Sequence, residues 1–294
     1  MRLMTLTRPV TLASVAALAI VAAPGVTLAQ NAPTVTFTPV APSSPAAPAS
    51  QPAATGTYWT LIGGLEADTD GMMYGFFGPT WHKPLREDLE LQVSVRPNFL
   101  RYEFEDTFDG TSGTRKVSGP GLSTQVGLRF GDRNRFKFGA GPSFKWRDER
   151  FVDADGNETE IPDADGDGED DGMEVGFSLG ADAYLMPTDI DNVHAIVSYD
   201  TVDEYLWSRL GYKHQISNYD WQSTWAHFVG GEGILQGNDD IRTLMFGGLV
   251  EFVHVPSTTA VMLRAGFKRS TFDVADDRTG PYFGINFYRR LGSR

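Results

Sequence analysis

The sequence contains no cysteine. That absence excludes disulfide frameworks, thiol nucleophiles, cysteine zinc sites and iron–sulfur clusters. Bases are scarce beside acids, 25 Lys and Arg against 38 Asp and Glu, for a net charge of −13. Such a balance lacks the basic footprint that nucleic-acid binding needs, so nucleic acid is excluded as a partner. Beyond the N-terminus no apolar run reaches the roughly 18 residues of a membrane helix, which excludes a helical multi-span protein. Histidine is sparse as well, five in all, and none stands in an HExxH zinc motif. Glycine is plentiful at 32 residues and aromatic side chains make up 12%. Together with the missing apolar runs, this composition points to an all-β chain and brings a membrane barrel into view.

The N-terminus reads as an address. Arg2 and Arg8 precede an apolar stretch from Val10 to Ala23, and Thr27-Leu28-Ala29 supplies small residues at a cleavage site. Residues 1–29 therefore fit a signal peptide. No cysteine follows, so lipoprotein anchoring is excluded, and loss of Arg2 and Arg8 leaves a net charge of −15. Residues 30–55 carry Pro33, Pro39, Pro42, Pro45, Pro48 and Pro52 among Ala, Ser and Thr. This composition cannot build a core and predicts a disordered Pro/Ala-rich linker.

From 56 to 294 the sequence alternates with a period of two. Phe136, Phe138, Ala140, Phe144 and Trp146 alternate with Lys137, Gly139, Gly141, Ser143, Lys145 and Arg147. Val175, Phe177 and Leu179 alternate with Glu174, Gly176, Ser178, Gly180 and Asp182, and similar patterns recur along the chain. After Phe99 the apolar phase slips by one residue, to Leu100, Tyr102 and Phe104, which predicts a bulge. A soluble sandwich and a membrane barrel share this period. Three features favour a transmembrane antiparallel up-and-down β-barrel of the bacterial outer membrane, in contact with its lipid. The polar face is rich in Gly and Ser. Trp81, Tyr102, Trp146, Tyr184, Tyr212 and Tyr219 cluster near strand ends, as girdles do. Short and long connections alternate. Twelve strands are expected, at 57–67, 71–82, 89–104, 118–131, 136–148, 173–186, 193–201, 205–215, 219–230, 241–254, 259–271 and 280–289. The longer surface loops are expected at 105–117, 149–172, 231–240 and 272–279, and both termini lie on the periplasmic side; ten or fourteen strands are the alternatives.

The expected lumen face carries Arg96, Arg129, Lys137, Lys145, Arg147, Arg209, Lys213, Arg264 and Lys268, with Glu90, Glu174, Asp182 and Glu251 opposite. Two readings stand: a salt-bridge network that fills the barrel, or a narrow hydrated passage with a basic wall. The loop at 149–172 is strongly acidic, and from Glu149 to Glu174 there are twelve acids and one base, Arg150. Within it Asp163, Asp165, Asp167 and Glu174, with Gly168 at the turn, satisfy the spacing of a calcium loop. Against Ca2+ stand Asp170, where an apolar residue normally ties the loop down, and flanks that read as strands. The alternative is a solvated acidic loop.

Signals for an enzyme are thin. His214 and Ser217 come nearest to the signature of outer-membrane lipid hydrolases, but their gap is three and they fall at a periplasmic turn. The sequence is read as non-enzymatic.

Trp207-Ser208-Arg209, Gly211-Tyr212-Lys213, Gly230, Glu232, Gly237-Asn238, Arg242 and Gly247-Gly248 stand in the segments YLWSRLGYKHQI and VGGEGILQGNDDIRTLMFGGLVEF. With the opening strand pair TYWTLIGGLEADTDGMMYGFFG, they resemble the cellulose biosynthesis protein BcsS family of Gram-negative bacteria. The resemblance covers most of 56–294, but not the linker or the acidic insert. It implies an exported outer-membrane barrel accessory to cellulose or exopolysaccharide production or its surface export, with cellulose synthase components or glucan as partners. Trp207, Arg209, Glu232 and Arg242 are the lumen and glucan candidates. Glu232 and Arg242 flank an expected surface loop and could form a salt bridge or touch glucan, while Tyr205, Trp207 and Trp225 stand near the expected mouth. The competing reading is a small general porin or structural surface barrel whose acidic loop binds divalent cations.

Overall fold

The computed structural model describes residues 56–161, 173–202, 204–217, 224–238, 241–272 and 277–292. In chain order its strands are β1 (Tyr58–Asp68), β2 (Met73–Arg86), β3 (Leu89–Phe108), β4 (Thr111–Phe130), β5 (Arg135–Trp146), β6 (Asp148–Asp153), β7 (Glu158–Glu160), β8 (Met173–Leu185), β9 (Asp191–Asp200), β10 (Tyr205–Gln215), β11 (Trp225–Gly237), β12 (Ile241–His254), β13 (Thr259–Phe272) and β14 (Arg278–Leu291). All pairings are antiparallel. Twelve strands, all but β6 and β7, form a ring of neighbours, which β1 and β14 close from Trp59↔Leu291 to Asp68↔Tyr282. Closure leaves the ring without a free edge, so every backbone group within a bilayer finds a partner. β6 and β7 form a hairpin outside the ring, and Asp148–Asp153 pair with Gly113–Ser118 of β4.

The barrel is inverted relative to a soluble protein. Its outer surface carries Phe267, Phe246, Val175 and Phe177, each more than 60% exposed, within a continuous belt of apolar side chains. Its inner surface holds the buried polar residues, among them Glu66, Gln92, Gln125, Glu232 and Arg264. An apolar belt of this extent would aggregate in water and is stable only against lipid. Twelve of the thirteen charged residues expected on the lumen face stand at inward strand positions, as the period of two requires, and Arg147 lies between β5 and β6.

Four expectations are corrected. First, β3 has no bulge after Phe99; its register against β4 is unbroken from Leu89↔Phe130 to Phe108↔Thr111. The expected loop at 105–117 is mostly this long hairpin, turned at Asp109 and Gly110, both with positive φ (48° and 75°) as a two-residue hairpin loop requires. Second, the strand expected at 219–230 lies at Trp225–Gly237, and the loop expected at 231–240 shrinks to a turn after Gly237. The glycines of this stretch read as loop but serve contact: a Cβ on Gly230 would stand 1.8 Å from the Tyr212 carbonyl oxygen of the neighbouring strand. Third, the hairpin β6–β7 occupies part of the expected loop at 149–172. Fourth, of the aromatics assigned to girdles, Trp146 and Tyr212 do face outward, whereas Tyr102 and Tyr184 share the inward face of their strands. Tyr219 lies outside the described residues.

Candidate functional site

One side of the lumen is closely packed and dry. On the dry side, Glu232 of β11 accepts hydrogen bonds from Arg209 Nε of β10 at 2.7 Å, from the Tyr282 hydroxyl of β14 at 2.9 Å and from Arg264 Nη1 of β13 at 3.4 Å. Arg264 Nη2 also donates to Glu66 of β1 at 3.0 Å. Two carboxylates and two guanidiniums thus form a neutral knot that links β1 to β10, β11, β13 and β14. Directly against it pack Ile234, Met245 and Tyr282, with Met72 and Trp207 at the margin. A side chain facing a water-filled channel would be wetted, yet Met245 and Tyr282 are 0% exposed and so is the Glu232 side chain. This side of the lumen is therefore packed shut. Toward the extracellular end Lys268 is ion-paired with Asp68, and with Asp70 at 3.1 Å.

The periplasmic end carries a second cluster. Glu90 accepts from the Tyr58 hydroxyl at 2.7 Å, from Gln92 at 2.8 Å and from Arg129 at 3.0 Å, and lies 2.7 Å from His82 Nδ1. Thr60 Oγ1 lies 2.8 Å from His82 Nε2. Hydroxyl, imidazole and carboxylate stand in the order of a nucleophile relay. However, Thr60, His82 and Glu90 are all buried, and the Tyr58 ring covers the imidazole at 4.4 Å. The chain of bonds ties β1, β2 and β3 together. His214 and Ser217, the pair raised by sequence, are held apart by other partners: His214 Nδ1 lies 2.9 Å from Asp191, and the Ser217 hydroxyl accepts from the His227 amide.

Across the lumen, on β3–β5, β8 and β9, Gln92, Gln125, Ser143, Ser178 and Asn192 are buried, Arg147 and Asp182 are about one-third exposed, and Lys145 lies 3.4 Å from Asp200.

Above the bilayer, the β3–β4 hairpin leans over the mouth. Arg278 of β14 donates to the Glu103 carbonyl at 3.2 Å, and the rings of Phe104 on β3 and Phe272 on β13 lie 6.1 Å apart, although β1 and β2 separate β3 from β14 in the ring and β14 also intervenes before β13. Tyr102 stacks beside Phe104, Arg115 lies over Phe104 and Arg278 over Phe272. An aromatic patch interleaved with charge therefore rims the entrance.

Of the residues singled out by sequence, Trp207 borders the knot, half-buried, while Arg209 and Glu232 are its centre. Arg242 is exposed on the outward face of β12 opposite Gly237 and is not a partner of Glu232, whose carboxylate is occupied by Arg209, Arg264 and Tyr282. Trp225 is at the opposite end from the mouth, paired with His254, because β11 begins there. Asp163, Asp165 and Asp167 lie outside the described residues. Glu174 opens β8 and stands 3.8 Å from Arg147. Among the described residues no group of three or more acids and histidines is arranged to hold a metal. Glu66, Tyr282 and the Tyr58–His82–Glu90 cluster were not singled out as site residues. Alternation marks their faces, but not their heights across the lumen.

Comparison with curated proteins finds no match. Among solved structures the chain is similar to the β domain of the Bordetella autotransporter BrkA, with 10% identity, a TM-score of 0.44, and 80% of this chain and 98% of that one covered. It is also similar to an outer membrane channel from Pseudomonas putida, with 10% identity, a TM-score of 0.43, and 86% and 100% covered. A family model described as cellulose biosynthesis protein BcsS matches residues 86–291. That span contains the knot residues Arg209, Glu232, Arg264 and Tyr282 together with the segments that carried the resemblance, and the chain belongs to the cellulose biosynthesis protein BcsS family.

Proposed function

We propose that this barrel is a non-enzymatic accessory of cellulose production, delivered to the outer membrane by its N-terminal signal and acting on glucan at the cell surface. The observation that carries the reading is the aromatic rim of Tyr102, Phe104 and Phe272 set above a lumen whose centre is tied by the Arg209–Glu232–Arg264–Glu66 knot. Flat aromatic faces beside Arg115, Arg278, Glu105 and Asp106 offer both apolar contact and hydrogen bonds to a sugar chain. The packed half of the lumen argues against a general porin, whose barrel encloses an aqueous channel. The family match supplies the polymer. In this role the barrel retains or guides strands that other components synthesise.

The test is cell-associated and released cellulose in a deletion strain complemented with wild type or with Y102A/F104A. Wild type is expected to restore surface retention, and the variant, present in the membrane at wild-type level, is expected to release more cellulose. Unchanged retention in the deletion strain would refute the reading. Full retention with the variant would remove the aromatic rim from it.

A further inference from the structure

The closed ring has twelve ladders, and among the described residues ten of them run without interruption over the residues they pair. The two exceptions flank the β3–β4 hairpin. Between β2 and β3 the ladder passes from Phe76↔Asn98 directly to Thr80↔Ser94, so Phe77–Pro79 and Val95–Pro97 form no pair. Between β4 and β5 it passes from Ser123↔Ser143 to Val126↔Ala140, so Thr124 and Gln125 form none with Gly141 and Pro142. The hairpin itself is paired along its whole length, from Leu89↔Phe130 to Phe108↔Thr111.

Proline accounts for both gaps, since it has no N–H to give a ladder. Arg278 reaches the Glu103 carbonyl from the β2 side, so the odd residues of β3, Pro97 included, turn their backbone groups toward β2. The missing N–H of Pro97 would meet the Phe77 carbonyl, and in the same register that of Pro79 would meet the Val95 carbonyl. The Thr124 hydroxyl donates to the Pro142 carbonyl at 3.4 Å, so Pro142 faces β4 and its missing N–H would meet the Thr124 carbonyl. Val95 stands opposite Thr124 within the hairpin, so both gaps lie at one height. Phe77 and Val95 belong to the apolar belt, where no water replaces a missing ladder bond. These are therefore the weakest edges of the ring.

Above that line the hairpin pairs with β2 only as far as Arg101 and with β5 only from Gly121. From Tyr102 to Val117 its tip has no partner strand in the ring. Its partner there is β6, fixed to it by Arg115 on Glu149 and by the Phe108 and Phe151 rings, 5.6 Å apart. β6 and β7 therefore travel with the tip. Across the mouth the tip rests on Phe272 and Arg278, through the Phe104 ring and the Glu103 carbonyl.

A stiff lever, two interrupted edges at one height and a side-chain latch are the parts of a lid. We infer that the β3–β4 hairpin is a hinged lid over the extracellular mouth, swinging about the line of Pro79, Pro97 and Pro142 so that Phe104 parts from Phe272 and the entrance opens. The structure shows the closed state. The motion belongs to the barrel alone and is tested without glucan, so its failure and that of the cellulose reading are distinguishable.

The experiment measures the distance between spin labels at T107C on the tip and T271C on β13, in the full-length barrel in lipid vesicles; the chain has no other cysteine. Two populations are expected, a short one and a longer, open one. F272A/R278A removes the latch and is expected to raise the open-to-closed ratio at least threefold. P79V/P97V/P142V supplies the three donors at lipid-facing positions, where valine suits a strand, and is expected to lower that ratio at least threefold. P142V alone, a milder change on one edge, is expected to lower it in part. A single short distance in both wild type and F272A/R278A overturns the lid. A ratio that neither proline variant lowers overturns the hinge.

Discussion

Replacing Glu232 by alanine strands charge in the driest part of the barrel. In the wild type its carboxylate, 0% exposed, faces Arg209 and Arg264, whose side chains are 8% and 5% exposed. After truncation Arg264 keeps Glu66 at 3.0 Å. Arg209 keeps only the Met262 sulfur, 3.4 Å from its Nη2. Removing one partner of a buried ion pair costs about 3–5 kcal/mol, because the other is left uncompensated. The Tyr282 hydroxyl also loses its acceptor, which costs about 1–3 kcal/mol, though the two losses share one carboxylate and do not simply add. Glu232→Ala is therefore expected to lower stability by at least about 3 kcal/mol.

The assay is urea unfolding of the barrel folded into lipid vesicles, followed by tryptophan fluorescence; Trp207, packed against this cluster, supplies a local signal. The companion variant R209M/E232L/Y282F removes the stranded guanidinium and hydroxyl, keeps the Arg264–Glu66 pair, and leaves only the long 3.4 Å contact of Arg264 Nη1 without its acceptor. Replacing a buried ionic group by apolar residues of similar size is often neutral, so this variant is expected within about 1 kcal/mol of wild type. Two results would refute the reasoning. One is Glu232→Ala within about 1 kcal/mol of wild type, which would mean that water reaches Arg209. The other is a triple variant as unstable as the single one, which would mean that packing, not charge, sets the cost.

Two further expectations concern the lipid-facing surface and the β6–β7 hairpin. Phe246 is 62% exposed on the outward face in the middle of β12, so Phe246→Arg is expected to cost about 2–4 kcal/mol in the same vesicle assay. In the β6–β7 hairpin the Asn157 side chain, with backbone amides of Asn157, Asp155 and Gly156, holds the Asp153 carboxyl below the usual aspartate range. A depressed folded value means that this contribution is present above the unfolded value of about 3.9 and is lost as pH falls through the folded one. Hydrogen exchange at the Asn157 amide is expected to accelerate in that window, and in Asn157→Ala at a higher pH.

How much of this could be read beforehand depends on whether the determinant is local. Alternation is local, so the inward set from Arg96 to Lys268 and the twelve-strand count were legible. The knot is not. Glu66 and Arg264 lie 198 residues apart, and Tyr282 and Glu232 lie 50 apart. Period two gives the face of each residue but not its depth, so it could not tell which acid meets which base. The Glu232–Arg242 pairing failed for that reason. Misplacing the strand at 219–230 set Glu232 beside a loop, whereas it sits mid-strand. The small residues that carried the family resemblance find their meaning at the same place. Gly211 lies under the Arg209 guanidinium, and a Cβ at Gly247 would come 2.3 Å from the Tyr282 hydroxyl.

The phase slip after Phe99 shows how a correct pattern can carry the wrong inference. In β3 the even positions face inward throughout, from Glu90, Gln92, Ser94 and Arg96 to Leu100, Tyr102 and Phe104. The outward positions change in the opposite sense, from Leu91, Val93, Val95 and Phe99 to Arg101, Glu103 and Glu105. Nothing in the backbone moves. What changes is the solvent on the outside, lipid below and water above, while the inner face turns from polar lumen to aromatic rim. In a soluble strand a one-residue slip of the apolar phase signals a bulge, because the core stays on one side. In a strand that leaves a membrane the same slip marks the surface of the bilayer. Phe99 and Leu100 thus place the extracellular boundary on β3. The two origins separate by experiment: spin labels at positions 95, 99 and 103 should pass from lipid-protected to water-accessible along one face, whereas a bulge would switch faces between them.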